Sequence, residues 1–316
     1  MAGGKDGGDA RVRRIAAAVT EISHFGFGGE APTIIYDSGA RKISVINGQG
    51  TAPALATPDR FASLGMIPGN GPMGGTIPAM VDAMARALQL NGTMTLDQVM
   101  QPAIKLADGF VMYNFLAEVF ASQQKATAKY KTAYDTYYPG GALPRVGDIF
   151  RQPNLARTMR TIAALRSFVR AKAALSAAAI QGGRDAFYKG EIARTIGAAM
   201  EADGGLMRYA DLAAYQGKVE APLTTDVFGY TVCKGGFWSQ GPALLIALNI
   251  AEAAGIAAME PGGEAYLHTL TEAIKLAFDD RNAYFGDPDF ARVPGKALLS
   301  KAYACLLYTS PSPRDS

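Results

Sequence analysis

A short apolar segment near the start of this chain runs directly into a glycine-flanked corner. Residues 43–46 read Ile-Ser-Val-Ile, and residues 47–53 follow as Asn-Gly-Gln-Gly-Thr-Ala-Pro. An apolar run that stops at a glycine and proline cluster predicts a strand ending in a tight turn. Glycine on both sides of Gln49 permits positive φ and a close backbone approach. Two interpretations stay open from this pattern: a surface turn with a self-capping amide, or a corner that binds a ligand.

The charge balance argues against two classes of partner. The 316 residues include 31 Lys and Arg against 28 Asp and Glu, which gives a formal net charge of +3. Binding to nucleic acid or to anionic lipid requires clustered basic charge, so neither a nucleic-acid partner nor a membrane is expected. The most apolar segment, residues 241–259, contains Asn249 and Glu252. This segment therefore predicts a buried helix and not a membrane span.

The sequence contains no spacing typical of a metal or dinucleotide site. The cysteines and histidines lie too far apart in sequence to form a zinc motif: Cys233, Cys305, His24 and His268. Residues 69–74 have G-x-G-x-x-G spacing, but they follow no clear strand, enclose Pro72 and precede no βαβ unit. No cofactor and no metal are therefore expected.

Predicted strands and helices fall into blocks. Strands are expected at residues 33–37 and 42–46, and again at 218–220 and 223–234. Helices are expected between and after these blocks, at residues 14–22, 77–90, 95–108, 114–134, 154–180, 186–202, 242–254 and 264–284. Thr95 with Gln98 three residues later predicts a capping box at the start of one helix. The arrangement predicts an α+β fold without regular βαβ alternation.

An ordered set of short motifs between residues 15 and 304 resembles the large subunit of the γ-glutamyltransferase (γ-glutamyltranspeptidase) family. Each motif is weak alone, but their collinear order is specific. The motifs are Gly26-Phe27-Gly28-Gly29, Tyr36-Asp37, Thr51-Ala52-Pro53-Ala54, residues 102–110, residues 151–158, residues 185–190, residues 211–215, Ser239-Gln240-Gly241-Pro242, residues 276–281 and residues 286–290.

The resemblance implies a four-layered αββα sandwich of the Ntn-hydrolase type, present here only as its large-subunit part. It also implies a precursor that cleaves itself, so that a Thr at the new N-terminus of a small subunit becomes the nucleophile. A free α-amine beside a hydroxyl can serve as its base, and the acyl-enzyme then passes to water or to an amino group. The expected partners are a γ-glutamyl or related amide substrate and the chain's own small subunit.

The corner departs from the pattern of the family that it resembles. The family typically has Arg-Glu at the positions of Gln49 and Gly50, and the Arg holds the α-carboxylate of the donor. A neutral amide lacks the charged, bidentate fork of Arg. Gln49, Gly50 and Thr51 are the candidate substrate-binding residues, and the donor is expected to differ from glutathione. Trp238 stands where the family has a proline and serine run, which also indicates a divergent branch.

The family's Thr-Thr-His motif, which contains the nucleophile, is absent from this sequence. We therefore expect residues 1–304 to be a large-subunit region with an irregular start, and residues 305–316 to be an unrelated tail. The fragment alone is expected to be inactive, and Thr309 is not a candidate nucleophile. Members of the family are often periplasmic or extracellular, but the Gly- and Asp-rich start has no apolar segment typical of a signal peptide.

Two other functions compete with this interpretation. The chain could be a non-catalytic binding or interaction protein of the same fold. Alternatively, Ser239 could act as the nucleophile of a serine hydrolase, since it lies at a loop-to-helix junction with glycines nearby. Phe237 breaks the G-x-S-x-G pattern, so a structural role for Ser239 in the turn before the helix is the simpler explanation.

Overall fold

The computed structural model describes residues 15–164 and 177–309. The chain forms two compact units. The first, called the helical unit, comprises Met1–Thr33, Asp37–Ala40 and Gly48–Lys218. The second, called the sheet unit, comprises Ile34–Tyr36, Arg41–Asn47 and Val219–Ser316. The chain leaves the sheet unit at Asn47 and enters the helical unit at Gly48, which is the start of the glycine-flanked corner.

Helices make up much of both units. Those of the helical unit are α1 (residues 15–20), α2 (Pro58–Ala62), α3 (Met80–Asn91), α4 (Leu96–Asp108), α5 (Asn114–Thr127), α6 (Lys131–Tyr137), α7 (Pro153–Ala164), α8 (Ala177–Tyr188), α9 (Glu191–Ala202) and α10 (Tyr209–Ala214). Those of the sheet unit are α11 (Gly241–Ala253), α12 (Glu264–Tyr284), α13 (Gly295–Leu298) and α14 (Lys301–Thr309). Within the described ranges, none of these helices is long and apolar enough to cross a membrane.

The strands are short and form three small sheets in the part of the chain that the structure describes. They are β1 (Thr33–Asp37), β2 (Lys42–Ile46), β3 (Phe110–Val111), β4 (Ile149–Phe150), β5 (Val219–Glu220), β6 (Leu223–Val227) and β7 (Tyr230–Lys234). The sheets have the orders β1-β2-β5, β3-β4 and β6-β7. Strands that pair with distant segments, between blocks of helices, agree with the predicted α+β class.

Helix α4 begins at the capping box that the sequence predicts. The Thr95 hydroxyl accepts a hydrogen bond from the Gln98 amide at 3.2 Å, and the Gln98 side chain accepts one from the Thr95 amide at 2.9 Å. These bonds satisfy two amides that the first turn of a helix otherwise leaves unpaired. The amphipathic sequence of α4 then buries Val99 and Ala103 in the core of the helical unit.

The core of the helical unit lies between α3 and α8 and between α4 and α7. Met80 on α3 and Met159 and Ile162 on α7 are almost completely buried. Burying one such side chain stabilises a fold by about 1.5–3 kcal/mol. Because these apolar side chains hold the helices against one another, the packing also sets the positions of the loops at the helix ends.

The core of the sheet unit lies between α11 and α12. Helix α11 is apolar on nearly every side and buries Ile246 and Ile250 against Ala273 and Ala277 of α12. The β6–β7 hairpin turns at Phe228 and Gly229, which have φ values of 51° and 81°. Positive φ at both central residues is typical of the type I′ turn that joins two-residue hairpins.

Several sequence predictions are confirmed and others are wrong. Strands β1 and β2 and helix α12 have the predicted bounds, and α4 ends as predicted but begins at Leu96, with Thr95 as its N-cap. The single helix predicted over residues 114–134 is wrong, because α5 ends at Thr127 and α6 begins at Lys131, with no Gly or Pro at the break. The middle of the helix predicted over residues 154–180 lies outside the described residues.

Strands β3 and β4 and helix α2 were not predicted. A two-residue strand is too short to show an alternating pattern, so only its partner across the sheet defines it. Phe110 pairs with Phe150, and Val111 pairs with Ile149.

Candidate functional site

Gly48 begins the corner and packs against the segment that leads into β1. Strand β2 ends with Val45 and Ile46, both buried and paired with Glu220 and Val219 of β5. Gly48 then takes a φ of 60°, and its carbonyl accepts a hydrogen bond from the Ala31 amide at 2.9 Å. A Cβ at this position would lie 2.4 Å from the Ala31 carbonyl oxygen. Both the backbone conformation and the space therefore require glycine.

Gly50 is the second glycine that the corner requires. A Cβ there would lie 2.1 Å from the Ile77 carbonyl oxygen, and the Ile77 amide donates to the Thr51 carbonyl at 3.0 Å. Gln49 and Gly50 are half-buried, and Thr51 is exposed. The three predicted site residues thus lie together on a fixed and partly accessible corner, and their role in substrate binding stays a prediction.

The side chain of Glu30 lies against this corner, and sequence reasoning missed it. The Gly50 amide donates to Glu30 Oε1 at 3.2 Å. With its amide oriented to satisfy the hydrogen bonding, Gln49 Nε2 donates to Glu30 Oε1 at 3.0 Å and to Oε2 at 2.5 Å. The only available signal was an acidic residue directly after Gly28 and Gly29. The corner therefore contains a carboxylate whose partners include the Gln49 amide nitrogen.

Tyr215 holds the main chain of the corner. Its Oη donates to the Gln49 carbonyl at 2.8 Å, and its ring packs against Tyr188 with the ring centroids 5.4 Å apart. Burial raises the pKa of the Tyr215 hydroxyl above its ordinary value, and the nearby Asp82 carboxylate raises it further. The hydroxyl therefore stays protonated and donates its hydrogen bond throughout the physiological pH range.

A buried ionic network centred on Asp82 contacts the main chain of Tyr215. Asp82 is 1% exposed and Arg184 is 3% exposed. Arg184 Nε and Arg86 Nε each donate to a different oxygen of Asp82, and Arg184 also donates to the Tyr215 carbonyl. The Gly217 amide donates to Asp82 Oδ2 at 3.1 Å. A buried charge is tolerated when it is paired and hydrogen-bonded in this way.

In the sheet unit, Glu220 joins the end of β2 to the loop that precedes α11. Asn47 Nδ2 donates to Glu220 Oε1 at 3.2 Å, and Trp238 Nε1 donates to Oε2 at 2.8 Å. Arg281 Nη1 donates to Gln240 Oε1 at 2.9 Å in the same unit. The Trp238 side chain is therefore held by its indole nitrogen and by packing against Gly236.

The hydroxyl of Ser239 is engaged within its own loop. It donates to the Gly236 carbonyl at 2.9 Å and accepts from the Gly241 amide at 3.2 Å. This is the geometry of a turn-stabilising serine. His24 is exposed and bonds to Ser23, and Thr309 donates to the Cys305 carbonyl within α14. None of the described contacts pairs Ser239 with a histidine.

A cleft of about 710 Å³ lies in the helical unit, away from the corner. Its lining includes the loop of residues 25–28 together with Lys131, Arg151 and Asn154, but none of the three predicted corner residues. Among the described residues, no group of three His, Cys, Asp or Glu side chains is placed to hold a metal ion.

Comparisons with known proteins agree with this architecture. A family model described as Gamma-glutamyltranspeptidase matches residues 7–310. The chain is 32% identical over 306 residues to a glutathione hydrolase-like proenzyme, YwrD, of Bacillus subtilis (strain 168), covering 94% of this chain and 54% of that protein. It is 30% identical over 317 residues to the Acylase ACY 1 proenzyme of Pseudomonas sp. (strain V22), covering 96% and 54%.

A similar solved structure is the γ-glutamyltranspeptidase of Helicobacter pylori. It superimposes with a TM-score of 0.87 at 28% identity, covering 99% of this chain and 88% of that one. The fold is thus α+β and of the Ntn-hydrolase type, as the resemblance implied. The chain belongs to the γ-glutamyltranspeptidase family. It spans about half the length of the curated relatives that it matches.

Proposed function

We propose that this chain is the large-subunit part of an enzyme that cleaves γ-glutamyl or related acyl amides. Family membership supports this proposal, because relatives include proteins named as a glutathione hydrolase-like proenzyme and as an acylase proenzyme. The acyl group would pass to water in hydrolysis or to an amino group in transfer. The second subunit, which this sequence lacks, would complete the enzyme.

In this proposal the nucleophile is a Thr that becomes the N-terminal residue of the small subunit after self-cleavage. Its hydroxyl attacks the amide carbonyl, while its own α-amine accepts the proton directly or through water. The leaving amine takes up that proton, and water or an amine then releases the acyl group. The word "proenzyme" in the names of the relatives supports processing of a precursor.

The contribution of this chain would be the substrate-facing corner of Gln49, Gly50 and Thr51. The observation that carries this assignment is the geometry of the corner. Contacts with Ala31 and Ile77 fix its main chain, Tyr215 holds the Gln49 carbonyl, and the corner stays partly accessible. Because the corner is already fixed in the folded protein, its own residues need not become ordered each time a substrate binds.

The test is to extend the reading frame beyond residue 304, express the longer protein and follow two readouts. Self-cleavage into two chains and release of p-nitroaniline from γ-glutamyl-p-nitroanilide are both expected. Replacement of the newly N-terminal Thr by Ala should abolish both, whereas Ser239→Ala should leave the chemistry intact. Unchanged activity in the Thr→Ala variant would refute the mechanism.

The same experiment separates the competing functions. Binding of γ-glutamyl amides without turnover would identify a non-catalytic binding protein of this fold. Loss of activity on Ser239→Ala with normal folding would instead indicate a serine hydrolase. The predicted boundary between residues 304 and 305 is tested by the sequence of the extended reading frame.

A further inference from the structure

Glu30 is fixed against the corner by its main chain as well as by its side chain. The carbonyl of the preceding Gly29 accepts hydrogen bonds from the Ala79 and Met80 amides, both at 3.0 Å, at the start of α3. The Glu30 carboxylate in turn accepts from Gly50 and Gln49. Its position is thus set by the folded core, and it is half-buried.

The corner consequently carries a negative charge. Glu30 forms no ion pair with any residue in the described ranges, and Gln49 is neutral. Two arginines of the same unit, Arg86 and Arg184, donate to the buried Asp82. The side-chain nitrogen of Gln49, which could donate to a substrate carboxylate, already donates to Glu30.

We infer that Glu30 sets the charge preference of this corner, so that the enzyme selects amide donors with an ammonium group there over donors with a carboxylate. The inference rests on the proposed function, and it adds the substrate class. A half-buried carboxylate attracts an ammonium and forms charge-assisted hydrogen bonds with it. The same carboxylate repels the carboxylate of a donor. The Gln49 side-chain nitrogen, which could otherwise donate to that donor carboxylate, already donates to Glu30.

Three p-nitroanilides test this preference because they share a three-carbon spacer between the acyl carbonyl and the charged group and differ in which charged group they carry. The 4-aminobutanoyl anilide carries an ammonium alone, the glutaryl anilide carries a carboxylate alone, and the γ-glutamyl anilide carries both. For the processed full-length enzyme, kcat/KM is expected to be at least about tenfold higher for 4-aminobutanoyl than for glutaryl, since one charge-assisted hydrogen bond accounts for such a factor.

Variants identify the residue responsible. Glu30→Gln keeps the shape of the side chain and removes its charge, so the ratio of the two kcat/KM values should fall about tenfold. Gln49→Arg places a cation beside Glu30 and should shift the ratio in the same direction. Glu118→Gln is the control, because Glu118 is an exposed carboxylate on α5 that accepts a hydrogen bond from the Asn114 side chain. Its ratio should equal that of the wild type.

A binding measurement keeps the inference testable without turnover. Calorimetry on the full chain should show tighter binding of 4-aminobutanamide than of glutaramate, and Glu30→Gln should remove the difference. Equal or reversed affinities would overturn the inference even in an active enzyme. Absence of p-nitroaniline release from all three anilides would instead overturn the proposed function, and the calorimetric result would then decide the charge preference alone.

Discussion

Tyr215 donates a hydrogen bond through its Oη to the main-chain carbonyl of Gln49 at a distance of 2.8 Å. The two residues are 166 positions apart in the sequence. Tyr215 follows α10 and packs on Tyr188, whose own hydroxyl donates to the Pro78 carbonyl at 2.6 Å. Two tyrosines therefore connect the corner to the segment that leads into α3.

Replacing Tyr215 by Phe should remove the hydrogen bond and retain the ring packing. We expect the free energy of unfolding to fall by about 1 kcal/mol, the net value of one such bond. Urea unfolding followed by circular dichroism measures this change. Tyr209→Phe is the control, since the Tyr209 hydroxyl donates to the Lys189 carbonyl at 3.0 Å in an exposed hydrogen bond. An equal loss in both variants would contradict a special role for the bond to Gln49.

Replacing Arg184 by Met should leave Asp82 buried with only part of its compensation. Breaking a buried ion pair by removing one partner costs about 3–5 kcal/mol. Urea unfolding measures the loss, and the additional change Asp82→Asn should recover part of it. Arg160→Met is the control, because its ion pair with Asp108 is about half exposed and such pairs contribute about 0–1 kcal/mol. A loss below about 1 kcal/mol for Arg184→Met would show that Arg86 alone compensates Asp82.

Replacing Gly50 by Ala should displace the corner. The new Cβ would lie 2.1 Å from the Ile77 carbonyl oxygen, which is backbone and cannot rotate away. We expect a loss of about 1–3 kcal/mol in the free energy of unfolding, the range for overpacked sites. Gly26→Ala provides the comparison, because nothing lies within 4 Å of a Cβ at that position. A tolerated Gly50→Ala would mean that the segment of residues 76–77 moves freely.

Asp280 should make the stability of the sheet unit depend on pH. The side chain is 6% exposed, its Oδ1 accepts from Tyr303 at 2.8 Å, and its Oδ2 has no hydrogen-bond partner among the described residues. Burial raises the pKa of Asp280 above its ordinary value of 3.8. The folded state therefore binds the proton more tightly than the unfolded state, so stability falls as pH rises from about 3.8 to the raised folded pKa.

Asp280→Asn removes this ionisation, so the variant should be more stable than the wild type at pH 7. The difference should shrink as pH falls through the raised pKa of Asp280, where the wild-type carboxyl takes up its proton. Urea midpoints at several pH values measure the effect. Glu260→Gln, at an exposed position in the same unit, should show no such trend. A constant difference between Asp280→Asn and wild type at every pH would contradict the assignment.

Sequence patterns predicted the elements whose structure depends on near neighbours. Thr95 and Gln98 are three residues apart, so their capping box can be read directly from the sequence. The alternation in β1 and β2 and the apolar stripe of α12 are likewise local. The break between α5 and α6 contains no glycine or proline, so no local signal distinguishes it from a continuous helix.

The candidate site was predicted only in part. Gln49, Gly50 and Thr51 could be singled out because glycines flank the corner and because the surrounding motifs resemble a known family. Glu30 could not, since no local pattern distinguishes a glutamate after two glycines from any other loop residue. Its importance depends on contact with Gly50, which is 20 positions away in the sequence.

The family, the α+β class and the glycine-flanked corner could be read from the chain alone, because motif order and residue periodicity are local properties of the sequence. Only the tertiary structure brought Glu30 and Tyr215 to that corner and placed Arg184 against the buried Asp82. These contacts join residues that are far apart in the sequence. Core packing decides which of these side chains meet, and no local pattern encodes that choice.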